Sequence, residues 1–204
     1  FGCPVPKVVK KGAGSGMLRD LDLLRRVLFS VKNAVKIPVT IKIRTGWDAN
    51  SRNALEVCNI AYNEGITWVA IHGRTRAQGY SGSADWDFIA EIKAKTQIPI
   101  LGNGDILTPS QAVQKLAESE CDGVLIRRGC LKNPHIFLDA LALWRGEPLA
   151  QNLSRDYATL FLDLAKDVVA HCDEHITGIQ LRKFAAWFST GYPGASQFRK
   201  NLFQ

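Results

Sequence analysis

Four short apolar runs recur at intervals of roughly 25 to 30 residues: "PVTIKI" ending at Ile43, "TWVAIH" ending at His72, "IPILGNG" ending at Gly104 and "GVLIRR" ending at Arg128. Each is rich in Val and Ile, bordered by Gly or Pro, and almost continuously apolar, which is the pattern of a strand buried on both faces. Helical patterns fill the intervals. Asp20 and Ser51 are expected to cap two of them, and in "LTPSQAVQKL" Thr108 caps, Pro109 takes the first helical position and Gln111 completes a capping box. Strand then helix, repeated, predicts an α/β fold with a parallel sheet. Past Gly146 the strand signal stops. "SRDYATLFLDLAKDVVAHCDEH" and "GIQLRKFAAWFS" read as successive amphipathic helices, with Ser154 as a cap, so an α/β domain over 1–149 and a helical domain over 150–204 are expected. Four parallel strands make either a small doubly wound domain or half of an eight-stranded barrel, which needs about 250 residues.

With 204 residues, 46% of them hydrophobic and 22% charged, the chain can bury a core. Lys or Arg interrupts every apolar stretch before the roughly 20 residues that a membrane span requires. No membrane association is expected. The formal charge of +7 suggests an anionic partner such as nucleic acid. The five cysteines (3, 58, 121, 130 and 172) form no CxxC pair and no zinc-type spacing with histidine, so no metal and a reducing cytoplasm are expected. The sequence opens at Phe1 without Met and without a signal-peptide pattern, and the native N-terminus is expected to lie upstream.

In either parallel architecture, chemistry gathers at the carboxyl ends of the strands. Here those ends carry Lys42 and Arg44; His72, Gly73 and Arg74; Asn103, Gly104 and Asp105; and Arg127, Arg128 and Gly129. Glycines after the last two strands suit a close backbone approach to a phosphate, which a barrel places after its final strands, and this favours the second half of a (β/α)8 TIM-type barrel. Lys42 and Arg44, two apart, share one face and call for an anion. Lys42 as a Schiff-base amine and Lys42 as a partner of an anionic ring are equally good physics. His72 reads as an acid or base, an anion ligand or a core histidine, and the adjacent Gly73 and Arg74 favour the ligand. "GAGSG" at 12–16 looks only superficially like a dinucleotide fingerprint, because no strand leads into it.

Together, "GCP" at Gly2–Pro4, "GAGSGM", "VTIKIRTGW", "IHGRTRAQGYSG", "GNGDI", "NPHIF", "QLRKFAAWF" and "GASQFRK" resemble the tRNA-dihydrouridine synthases, and the whole chain resembles their bacterial B-type branch. The resemblance implies the last four strands of a flavin-bearing barrel followed by part of a helical tRNA-binding domain. It implies reduction of a D-loop uridine in tRNA to 5,6-dihydrouridine, with FMN as cofactor and NADPH as reductant. Reduced FMN would deliver hydride to C6, and Cys3 a proton to C5. An ordinary thiol, with a pKa of about 8.5, is protonated at neutral pH and so can act as the acid.

The resemblance also implies that Lys42 faces the N1 and O2 edge of the isoalloxazine, reinforced by Arg44, while His72, Asn103, Gly104, Asp105, Arg128 and Gly129 form the rest of the flavin site. Arg127 stands where the family commonly has Gly and is expected to crowd the phosphate. Lys7, Lys10, Lys11, Arg74, Arg76, Arg182, Lys183, Arg199 and Lys200 are the candidate RNA contacts. Two other readings stay open: an RNA-binding fragment without catalysis, and a Schiff-base enzyme acting through Lys42 on a phosphorylated small molecule.

Overall fold

The structure is a computed structural model and describes residues 1–149 and 157–204. Ser154, the expected cap, lies outside the described residues. The described chain divides by its contacts into two compact units, Phe1–Ile106 with Ser110–Ile126, and Leu107–Pro109 with Arg127–Gln204.

The first unit is built on strands β1 (Ile41–Arg44), β2 (Val69–His72), β3 (Ile100–Asn103) and β4 (Gly123–Leu125). All pair in parallel and in sequential order, as in one half of a (β/α)8 barrel. The strands are shorter than the apolar runs, and Pro38 and Pro99, which lack an N–H, precede β1 and β3, with the Pro99 carbonyl still accepting from the Val69 N–H at 3.0 Å. One strand face packs against helices. Ile43, Val69, Ile71 and Ile100 are fully buried there, as are Val57, Cys58 and Ala61 of α3 (Ala54–Asn63) and Ile89 of α4 (Trp86–Lys95). Each such Val or Ile contributes about 1.5 to 3 kcal/mol on burial.

A four-residue helix α1 (Pro6–Val9) and a 3-10 turn (Gly14–Arg19) lead into α2 (Leu21–Ala34), whose Leu24 and Leu28 fall on one buried face. Asp20 caps α2 as expected, accepting the Leu23 N–H at 2.9 Å. Ser51 does not cap α3: the cap position belongs to Asn53, and the Ser51 hydroxyl donates instead to Asp48 at 2.8 Å. Helix α5 (Pro109–Ser119) starts at Pro109, as the sequence predicts.

The second unit holds α6 (Arg128–Lys132), α7 (Ile136–Trp144), α8 (Tyr157–His171), α9 (Glu174–Phe188) and α10 (Ala195–Leu202). It begins before the expected residue 150 because α6 packs on both α7 and α9. Its interior is aromatic. Tyr157 meets Phe188 edge-on at 5.8 Å and Tyr192 at 6.0 Å, and Phe184 meets Trp187 at 5.3 Å. Among the described residues, no helix is long and apolar enough to cross a membrane.

Candidate active site

Parallel registration aligns the carboxyl ends of the strands. Arg44 lies opposite His72, His72 opposite Asn103, and Asn103 opposite Leu125, so one lateral row runs across all four strands. Lys42, two residues earlier, shares the face of Arg44. Its ammonium donates to the Asn103 Oδ1 at 2.7 Å, reaching past β2. The Asn103 Nδ2 donates to the Leu125 carbonyl at 2.8 Å, which fixes the amide with its oxygen toward the lysine.

Arg44 and Arg74 are buried, at 3% and 2% exposure. From Arg44, Nε donates to the Gly2 carbonyl at 3.1 Å, and Nη1 donates to the Thr75 and Gly79 carbonyls at 2.8 Å each. Arg74 forms a two-pronged pair with Asp105 at 2.9 and 2.7 Å and donates also to the carbonyls of Ser81 and Gly82. Its remaining N–H faces the His72 Nε2 at 3.4 Å. Every donor of Arg74 is therefore occupied inside the protein. Asp105 is engaged within the protein as well. Its carboxylate takes Arg74 and the Ala84 N–H at 2.8 Å, and a phosphate beside it would be repelled.

Burial, followed by the charges of Arg44, Lys42 and Arg74, pushes the His72 imidazole down to about 3. It is neutral at physiological pH. Since a guanidinium only donates, Nε2 is the acceptor toward Arg74 and Nδ1 carries the proton. Tyr80, which sequence reasoning passed over inside "RAQGYSG", stands with its ring 6.4 Å from that of His72 and 5.8 Å from the Arg44 guanidinium carbon.

The glycines admit protein neighbours. A Cβ at Gly102 would strike the Trp86 ring, and one at Gly104, where φ is +137°, would strike Ala84. Trp86 Nε1 also donates to the Gly104 carbonyl at 3.0 Å. The "GAGSG" stretch has a comparable use. Both the N–H and the hydroxyl of the fully buried Ser15 donate to the Cys3 carbonyl, at 3.0 and 2.9 Å, and Gly14 at φ +58° leaves room for that oxygen. Cys3 itself is exposed and unpaired with any other cysteine. Its turn is tied to β1 through Gly2, which lies against the Lys42 backbone and holds Arg44.

Residues 1–204 match the family described as "Dihydrouridine synthase (Dus)". The chain belongs to the dihydrouridine synthase family. It is similar to the "Probable tRNA-dihydrouridine synthase" of Rickettsia prowazekii (strain Madrid E), 39% identical over 98% of this chain and 61% of that protein. The "tRNA-dihydrouridine synthase B" of Pseudomonas syringae pv. tomato is 42% identical over 98% of this chain and 59% of its own length. The "Probable tRNA-dihydrouridine synthase" of Mycobacterium leprae is 40% identical over 99% and 54%. The chain thus spans between 54% and 61% of the length of these curated relatives.

The other candidates are dispersed along the chain. Lys7, Lys10 and Lys11 are exposed on and just after α1, and Arg182, Lys183 and Lys200 are exposed on α9 and α10. Arg199 is half-buried, with Nη1 lacking a hydrogen-bond partner. Arg128, exposed, and Gly129, buried, open α6 in the second unit. Arg127 sits at φ −115°, outside the left-handed region that favours glycine.

Proposed function

We propose that this chain carries one half of the catalytic barrel and helical RNA-binding elements of an enzyme that reduces D-loop uridine in tRNA to 5,6-dihydrouridine in the cytoplasm. The reading rests above all on the Lys42 ammonium held by Asn103 in the row that contains neutral His72, beside the turn that bears Cys3. A cation and an amide at a strand-end row fit the anionic edge of FMN, with Lys42, Asn103 and His72 as the residues that would hold it. When bound, reduced FMN would supply a hydride equivalent, and NADPH would restore the reduced flavin.

What the protein contributes is charge, orientation and a proton. Lys42 sets positive charge where negative charge develops, and Asn103 fixes the direction of its ammonium. Arg44 acts as a positioning residue, joining the Cys3 turn to β1 through Gly2. The Cys3 thiol donates its proton to C5 of the pyrimidine, and the resulting thiolate is reprotonated from solvent, which reaches this exposed residue.

The test is to assay dihydrouridine formation on an unmodified tRNA transcript with wild type and Cys3→Ala. Loss of general-acid catalysis predicts a fall of about 10² to 10⁴ in rate at unchanged tRNA affinity. A Cys3→Ala rate equal to wild type would remove the proposed proton donor.

A further inference from the structure

The guanidinium groups at this end of the first unit have different fates. Arg44 is held by three backbone carbonyls, Arg74 is paired with Asp105, and Arg52 is paired with Asp85 at 2.9 Å. Arg19 and Arg76 instead lie over the ring of Trp47, with guanidinium carbons 4.7 and 4.5 Å from its centroid. Neither guanidinium makes an ion pair or hydrogen bond among the described residues, and the Nε of Arg76 is buried without an acceptor. Asp48 senses the charge of Arg19 without forming an ion pair with it, and its Oδ1 accepts from the Asn50 N–H at 3.0 Å and the Ser51 hydroxyl at 2.8 Å.

A guanidinium stacked on an indole uses its face and leaves its N–H edge available. The two edges are carried by segments fixed to the strand ends. Arg76 N–H donates to the Gly46 carbonyl and Ala77 N–H to the Trp47 carbonyl, both at 2.9 Å, immediately beyond β1. Arg19 closes the 3-10 turn whose Ser15 holds the Cys3 carbonyl. Both guanidinium groups share the Trp47 ring, which brings them close enough together to act on one anionic strand.

We propose that Arg19, Trp47 and Arg76 form a phosphate clamp that grips the RNA backbone beside the reacting uridine. This rests on the proposed tRNA reaction. RNA phosphate is the ligand because the donors are two planar forks that no carboxylate ion-pairs, exposed at Arg19 and carried by segments hydrogen-bonded to the Cys3 turn and to the residues just beyond β1.

The experiment measures equilibrium binding of an unmodified tRNA transcript over a salt series for wild type, Arg19→Gln, Arg76→Gln and Trp47→Leu, with dihydrouridine formation followed in parallel. Each Arg→Gln change is expected to reduce the magnitude of the log–log salt slope by about 0.7 to 0.9, one phosphate's worth. Trp47→Leu should weaken binding in the same direction, since both guanidiniums lose their seat. Slopes unchanged in both arginine variants, with dihydrouridine still formed, overturn the clamp and leave the proposed reaction standing. A wild type that binds tRNA without forming dihydrouridine, with slopes that fall as expected, overturns the reaction and leaves the clamp.

Discussion

Basic residues of the two units differ in what surrounds them. In the first unit, Arg44 and Arg74 are buried and spend their donors on loop carbonyls and Asp105, so they act as struts for the 73–85 loop. In the second, Arg182 and Lys183 point outward from α9, while Phe184, Trp187 and Phe188 of the same helix build an aromatic interior. The difference teaches that a guanidinium near a strand end is structural when carbonyls converge on it, whereas on a helix the apolar face claims the interior and leaves charge to solvent.

The largest effect should come from breaking the buried side of this comparison. Arg74→Ala removes the guanidinium from the Asp105 carboxylate and from the Ser81 and Gly82 carbonyls, with an expected loss of about 2 to 3 kcal/mol, discounted because the Asp105 side chain is 33% exposed. Urea denaturation midpoints measure it. Replacing both partners, as Arg74→Met with Asp105→Asn, should cost less, and asparagine tolerates the φ of +54° at that position. Equal losses in the single and double variants would mean that the ion pair is not what holds the loop.

Within about a pH unit below neutral, His72 supplies a smaller, pH-dependent effect. Its folded value of about 3 lies below the ordinary 6.5, so between these values the unfolded chain binds a proton that the native chain does not. Stability is then complete above about pH 6.5 and declines as pH falls toward 3, by about 1 kcal/mol per pH unit. His72→Asn should flatten that slope over pH 6.5 to 4.5 in thermal or urea unfolding. An unaltered slope would assign the acid sensitivity to other groups. Below this lies Ser15→Ala, which removes one of two donors to the Cys3 carbonyl and should cost about 1 kcal/mol by the same unfolding assay.

The parallel strands were legible because residues that pack on both sheet faces must be apolar, and the order β1 to β4 followed from helices between them. The strand-end chemistry was legible as residue types in register. What periodicity could not reveal was the partner of each group. The glycines at 102 and 104 announce a close approach, but only tertiary packing shows that Trp86 and Ala84 are what approach. Arg74 and Arg76, two apart in one loop, look alike in sequence and diverge because Asp105 meets one and Trp47 the other. Ser51 and Asn53 both suit a helix start, and the hydrogen bond of Ser51 to Asp48 decides between them.

The smallest effect sharpens the outward side of the comparison. Arg182→Gln and Lys183→Gln alter exposed positions on α9 that face away from its aromatic contacts, so each should change unfolding free energy by less than about 0.5 kcal/mol. The same variants test the RNA role of these residues independently of stability. A phosphate contact predicts a tRNA salt slope smaller by about 0.7 to 0.9 per residue, and a merely solvated charge predicts almost none. A stability loss beyond about 1 kcal/mol would contradict the assignment of α9 charge to solvent, since only a side chain packed or paired in the folded unit could be missed that much.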